Sequence, residues 1–138
     1  GEEGKVVHVD FTLPYTPWLR ARCLEAASAA GIPLRDGGVY GAVNGPRLES
    51  AAEIDRMDRD GATLVGMTGM PEAALARELE LPYAAICVVV NHAAGRGDSA
   101  ETISMESLLH TLDRGMESVR ALLDHLAPIA APAGRGRA

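Results

Sequence analysis

The stretch Val88-Val89-Val90-Asn91-His92-Ala93-Ala94-Gly95 is an apolar run that stops on an amide, an imidazole and small residues. An amide offers both N–H donors and a carbonyl acceptor. At the end of a buried strand, Asn91 is either an ordinary turn residue or a group that reads the polar edge of a ligand. Glu49, in NGPRLESAAE, falls where a helix is expected to begin. A carboxylate there either complements the helix dipole or accepts hydrogen bonds from a ligand at a strand mouth. Thr68, in GMTGMPE, precedes a Pro-started helix. Its hydroxyl and the free backbone N–H groups beside it read as an anion cradle, or more simply as a cap with Met67 in the core. His92 reads as exposed or satisfied. His8, His110 and His125 show no metal-ligand spacing with any Cys or carboxylate, so no metal is expected. Ser50 lacks a nucleophile elbow, and NHAAGRGD is neither a Walker loop nor GxGxxG. Chemistry argued from spacing alone stops at an α/β enzyme or ligand-binding domain.

The elements that must carry these residues alternate. KVVHVDF reads as a strand, and Thr16-Pro17 as the cap and first turn of an Ala-rich helix that Gly31 ends. GGVYGAV is a second strand, broken at Asn44-Gly45-Pro46, and Pro46 is expected to open a helix that closes at Gly61. TLVGM (63–67) is a short strand, Pro71 opens a further helix, and YAAICVVVN (83–91) is the longest β-rich run. Ser104 caps a long helix whose Met105, Leu108, Leu109, Leu112, Met116, Val119, Leu122, Leu123 and Leu126 follow the spacing of one buried face. Residues 1–128 are expected to form the folded portion, and 129–138, without periodicity, a flexible tail. Apolar strands alternating with amphipathic helices mean an α/β fold with a largely parallel sheet, whose ligands gather at the carboxyl ends of strands. Those ends carry Glu49, Thr68 and Asn91.

Composition bounds the class. The chain has 138 residues and is 47% hydrophobic but only 4% aromatic, so Ala, Val, Leu and Met must fill the core of one domain. No apolar run reaches the ~20 residues of a membrane span. The net charge of −6, with scattered basic residues, argues against nucleic acid as a partner. Cys23 and Cys87 have no CxxC spacing, which fits a reduced, cytoplasmic setting.

In order, GPRLESAAE (GPR-x-E-x-x-AE), GMTGMPE (GMT-x-x-PE) and a strand ending in Asn resemble the C-terminal half of the trimeric purine nucleoside phosphorylase and methylthioadenosine phosphorylase family. The resemblance runs from about His8 to Leu126. It implies a twisted mixed α/β sheet flanked by helices, a phosphorylase/hydrolase-like, Rossmann-like three-layer fold that is incomplete in this chain. It also implies phosphorolysis of a purine nucleoside, with inorganic phosphate as co-substrate, no cofactor, and a homotrimer.

Residue by residue, the resemblance puts Asn91 at the base-reading position, Asn in enzymes for 6-oxopurines and Asp in those for 6-aminopurines. Glu49 matches a carboxylate set against the pyrimidine edge of the base, where methylthioadenosine enzymes usually have a small hydroxyl residue. Leu48 stands where the family has a Phe against base and sugar. Val65 and Gly66 belong to the base-pocket wall, Met67 lies under the ribose, and Thr68 contacts phosphate. Ala93 stands where adenine-specific enzymes tend to have a second Asp. Met105, with Leu108 and Leu109 one turn on, takes the 5′-reading position, where a His goes with a 5′-hydroxyl and an apolar side chain with a 5′-methylthio group. The two ends together imply S-methyl-5′-thioinosine, with methylthioadenosine and inosine or guanosine as the alternatives.

The family's Gly-rich phosphate loop, and the Arg and His that complete its phosphate site, are not found in these 138 residues. A phosphate held by Thr68 alone is poorly bound. The chain is therefore expected to be a fragment or second half, inactive alone. The reading from another class is a non-catalytic piece with sheet edges that must pair with something. A plain nucleotide-binding module needs a glycine-rich phosphate loop that is absent.

Overall fold

The computed structural model describes residue 4 and residues 6–131. Its elements are α1 (Pro17–Ala29), β1 (Tyr40–Ala42), α2 (Ala51–Arg59), β2 (Leu64–Gly66), α3 (Glu72–Glu78) and α4 (Met105–Leu126), with 3₁₀ turns at Gly97–Ser99 and Ala127–Ile129. β1 and β2 pair in parallel, Tyr40 opposite Leu64, Gly41 opposite Val65 and Ala42 opposite Gly66. α2 makes the crossover between them, so the unit is the expected βαβ. The pairing continues past the strands. Thr63 N–H donates to the Val39 carbonyl at 2.9 Å, and Val43 N–H to that of Gly66 at 3.0 Å.

Pro17 sits in the first turn of α1, where its missing N–H costs nothing. The expected cap, Thr16, makes no capping bond to its own helix. Its hydroxyl instead accepts from Tyr83 N–H at 2.9 Å, while Thr16 N–H donates to the Tyr83 carbonyl at 2.7 Å. Tyr15 and Tyr83 stack beside this pair. The start of α1 is thus bound to the start of the segment 83–91.

The core lies between α1 and α4. Cys23, Ala26 and Ala27 of α1 meet Leu122 and Leu126 of α4, with Ile32, Leu34, Ala84, Ile86, Ile129 and Ala130 packed around them. Alanines on α1 let the helices approach closely, which is how a chain poor in aromatics closes a core.

Several expectations need correction. The strand expected in KVVHVDF is absent over residues 6–11; Asp10 instead accepts from the Thr12 N–H and hydroxyl at 3.0 and 2.7 Å, closing a local turn. Among the described residues YAAICVVVN joins no ladder, although burial alternates residue by residue from Ala84 to Val90. That is the period of an extended chain without a partner strand. Among the described residues the sheet has two strands, paired in parallel, which agrees with the expectation of a larger sheet left incomplete in this chain. α2 starts at Ala51, not Pro46, because Ser50 and Glu53 form a capping box that fixes the start there. The stripe on α4 is buried only near its C-terminal end. Leu122 and Leu126 are buried, but Met105, Leu109, Met116 and Leu123 are exposed. Length explains this. α1 has 13 residues and α4 has 22, about 20 Å of helix beside about 33 Å. Of the expected tail, residues 132–138 lie outside the described residues, while Ile129 and Ala130 pack on the core.

Leu122→Ala should cost about 2–5 kcal/mol, since the side chain is 2% exposed and leaves a cavity. Leu123→Ala, one residue on and exposed, should cost under about 1 kcal/mol. Urea unfolding of the two variants checks this, and equal losses would contradict the α1–α4 core.

Candidate functional site

The loop leaving β1 is set by one carboxylate. Arg47 reaches Glu53 with both terminal nitrogens, at 2.9 and 2.8 Å, and Nη1 also donates to the Leu48 carbonyl at 3.0 Å. Ser50 N–H donates to Glu53 Oε2 at 2.7 Å, and Glu53 N–H donates to Ser50 Oγ at 3.3 Å. The Arg47 guanidinium, followed by the Ser50 N–H and hydroxyl, holds the Glu53 carboxyl far below the usual glutamate range. Leu48 and Glu49 are therefore clamped between two residues that both bind Glu53. Glu49 lies just before the cap, not in the first turn as expected, and is half-buried. Among the described residues its carboxylate makes no hydrogen bond or ion pair, although the Arg47 charge feels it. Leu48 is exposed.

β2 exits against the same loop. Gly45 has φ 62°, and a Cβ there would stand 2.6 Å from the Met67 sulfur, so only glycine lets Met67 lie across this turn. Tyr40 of β1 crosses the other way. Its ring fills the space beside Gly66 and Gly69, and its hydroxyl accepts from Thr68 N–H at 3.2 Å. This corrects the reading of the Thr68 N–H as a free member of an anion cradle. Nor does Thr68 cap α3, since the cap position is Pro71. The Thr68 side chain is exposed, and Val65, Gly66 and Met67 are half-buried.

The Asn91 loop docks on α2. Arg96 donates to Asp55 at 2.8 Å and to Asp58 at 3.4 Å, and Gly95 lies against Ala51. Asn91 is half-buried, and its Nδ2 donates to the His92 carbonyl at 2.6 Å. His92 stands 3.7 Å from Asp98, and Ala93 is half-buried. The loops bearing Glu49, Met67 with Thr68, and Asn91 are thereby joined, through Gly45 with Met67 on one side and α2 on the other. The fourth set is not closed over them. Met105 and Leu109 are 56% and 55% exposed, and only Leu108 is half-buried. Cavities of about 530 and 460 Å³ lie elsewhere, lined in part by Tyr15, Cys87 and Val89 and by Asp10, Arg77 and Glu80 respectively.

Tyr40, Arg47 and Glu53 hold this site and were given no role from sequence, although Arg47 and Glu53 are fixed letters of the GPR-x-E-x-x-AE motif. Ser50-x-x-Glu53 is a capping-box signature and was open to recognition. Tyr40 gave no signal, because its role depends on the gap left by Gly66 and Gly69. Chemically, the arrangement offers an amide that donates and accepts, a carboxylate that only accepts, a thioether and a hydroxyl.

A two-strand βαβ frame with polar groups at its strand mouths is a setting in which α/β folds bind ligands. The chain matches the family described as "Phosphorylase superfamily" over residues 1–128, and it belongs to that family. It is similar to proteins named probable S-methyl-5′-thioinosine phosphorylase. The Xanthomonas campestris relative is 52% identical, covering 90% of this chain and 49% of its own length. That of Methanopyrus kandleri is 43% identical, over 91% and 50%. A probable 6-oxopurine nucleoside phosphorylase of Moorella thermoacetica is 42% identical, over 93% and 48%. Among solved structures, methylthioadenosine phosphorylase from Schistosoma mansoni in complex with adenine superposes with TM-score 0.81 at 25% identity, over 92% of this chain and 50% of that one. The chain thus spans about half the length of the curated relatives it matches. The fold is that of the family, represented here in part.

Because the folded Glu53 pKa is depressed, its stabilising contribution is complete above the unfolded value of about 4.3 and fades as pH falls below it. The stability gap between the parent chain and Glu53→Gln should therefore be widest near neutral pH and narrow below about pH 4. Thermal melts across pH check this, and a gap independent of pH would remove Glu53 as the anchor of the loop.

Proposed function

We propose that this chain is the base- and sugar-reading half of a phosphorylase that converts S-methyl-5′-thioinosine and inorganic phosphate to hypoxanthine and 5-methylthioribose 1-phosphate. The carrying observation is the placement of Asn91 and Glu49 on loops that both rest on α2. A 6-oxopurine carries an acceptor at O6 and a donor at N1–H, and a 6-aminopurine the opposite pair. Glu49, free of other partners, accepts from N1–H. Asn91 turns its amide from the His92 carbonyl to donate to O6 or to accept from a protonated N7.

Phosphate oxygen bonds to the sugar C1′ as the C1′–N9 bond breaks, and the bonding electrons pass into the base. Negative charge grows toward O6 and N7, so a fixed donor at that edge is worth more in the transition state than in the ground state. Val65, Gly66, Leu48 and Ala93 wall the base. Met67 supports the ribose, the Thr68 hydroxyl meets phosphate, and Met105, Leu108 and Leu109 receive the methylthio group. No cofactor takes part. The remaining phosphate ligands come from the portion of the family's length that this chain does not span. The working enzyme is a homotrimer in the cytoplasm. The similarity to relatives bearing this name supports the substrate. The openness of Met105 and Leu109 keeps inosine as the competing substrate.

The test uses this chain combined with the N-terminal half of the Xanthomonas campestris relative, since alone it should show no phosphorolysis. Asn91→Asp with Glu49→Ser should move the kcat/KM ratio of methylthioinosine to methylthioadenosine toward the latter by roughly 100-fold or more. A double variant that keeps the 6-oxo preference sinks the base-reading assignment. Equal turnover of inosine and methylthioinosine sinks the assignment of Met105.

A further inference from the structure

Thr68 lies on a turn with little else to hold it. Gly66 and Gly69 flank the Met67-Thr68 pair, and glycine leaves the backbone more freedom than any other residue. Among the described residues, Thr68 makes one hydrogen bond, from its N–H to the Tyr40 hydroxyl at 3.2 Å. The Tyr40 ring fits because both glycines lack a side chain. A Cβ at Gly69 would stand 2.8 Å from a ring carbon, and one at Gly66 would meet the phenol oxygen. Gly69 is buried, whereas the Thr68 side chain is exposed. Tyr40 is fixed at its root, since it pairs with Leu64 in the β1–β2 ladder. A ladder residue thus sets where the Thr68 main chain stands. The Thr68 hydroxyl is one rotatable bond away, and a β-branched side chain has few rotamers there, so placing the main chain places the hydroxyl. The loops that carry Glu49 and Asn91 are anchored separately, by Glu53 and by Arg96.

We infer that Tyr40 is a positioning residue for phosphate: its hydroxyl tethers the Thr68 main chain and so sets affinity for the anion separately from affinity for the nucleoside. The inference rests on the proposed reading that the Thr68 hydroxyl meets phosphate. Tyr40 itself does not touch the anion; it acts through the turn. With the tether in place, the hydroxyl waits in one arrangement. Without it, a turn flanked by glycines occupies several, and phosphate binding must select one of them at a cost in affinity.

Tyr40→Phe keeps the ring between Gly66 and Gly69 and removes only the acceptor. The variants are combined with the N-terminal half of the Xanthomonas campestris relative, and initial rates are measured against phosphate and against methylthioinosine in turn. Tyr40→Phe should raise KM for phosphate by roughly threefold to tenfold, and leave kcat and KM for the nucleoside within about twofold. Tyr83→Phe alters a phenol that stacks on Tyr15, away from this turn, and should move neither KM. In this chain alone, hydrogen exchange of the Thr68 amide should quicken in Tyr40→Phe by roughly threefold or more. Equal rises in both KM values overturn the inference, because they report a general loosening. An unchanged KM for phosphate overturns it too, as does Thr68 exchange that stays at the parent rate. Thr68→Val tests the underlying reading by itself. If it leaves KM for phosphate unchanged, the role of Thr68 is refuted, whatever Tyr40→Phe does. If it raises that KM and Tyr40→Phe does not, Thr68 stands and the tether falls. A parent combination without phosphorolysis refutes the proposed function, and the exchange rates then decide the tether alone.

Discussion

Glu53 satisfies a helix terminus and a guanidinium at once, and the strand-mouth architecture depends on it. Its carboxylate closes the capping box with Ser50 and receives the Arg47 fork, so the first turn of α2 and the end of the β1 loop are tied to the same two oxygens. Glu49 and Leu48 inherit their position from this knot. So does the Asn91 loop, which leans on Ala51 and on Asp55 further along the same helix. The group at the centre need not touch a ligand. It spends its own lone pairs on the scaffold, which leaves the neighbouring carboxylate of Glu49 unspent.

Much of the framework was legible in the sequence because its signals are local. Pro17 in the first turn of α1, Gly31 after its end, Ser104 before α4 and the short strands around Tyr40 and Leu64 follow from cap and turn chemistry and apolar runs. What was misread depends on length or on a partner. The α4 stripe promised a continuous buried face, but periodicity says which side faces inward and not how far a neighbour extends. The run 83–91 has the composition and alternation of a strand, yet a ladder is a property of two segments. Pro46 looked like a helix start because proline favours that position, and the capping box that begins four residues later outweighed it.

The site was legible to a different depth. Asn91, Glu49 and Thr68 stood out as polar groups at strand ends, and the ordered motifs gave them roles that spacing alone did not. The contacts that hold them were less visible. Tyr40 reaches Thr68 only because Gly66 and Gly69 leave room for its ring, and Arg96 finds Asp55 across a long stretch of chain. Such pairings need the folded geometry.

The two crossings between the strand exits have a mechanical consequence. Tyr40, from β1, holds the turn after β2, and Gly45, after β1, accepts the side chain of Met67 from the other turn. Each loop is pinned by a group belonging to its neighbour, so neither slides alone. They behave as one jaw. The open first turns of α4 belong to no such interlock, so a change of side chain there leaves the jaw undisturbed.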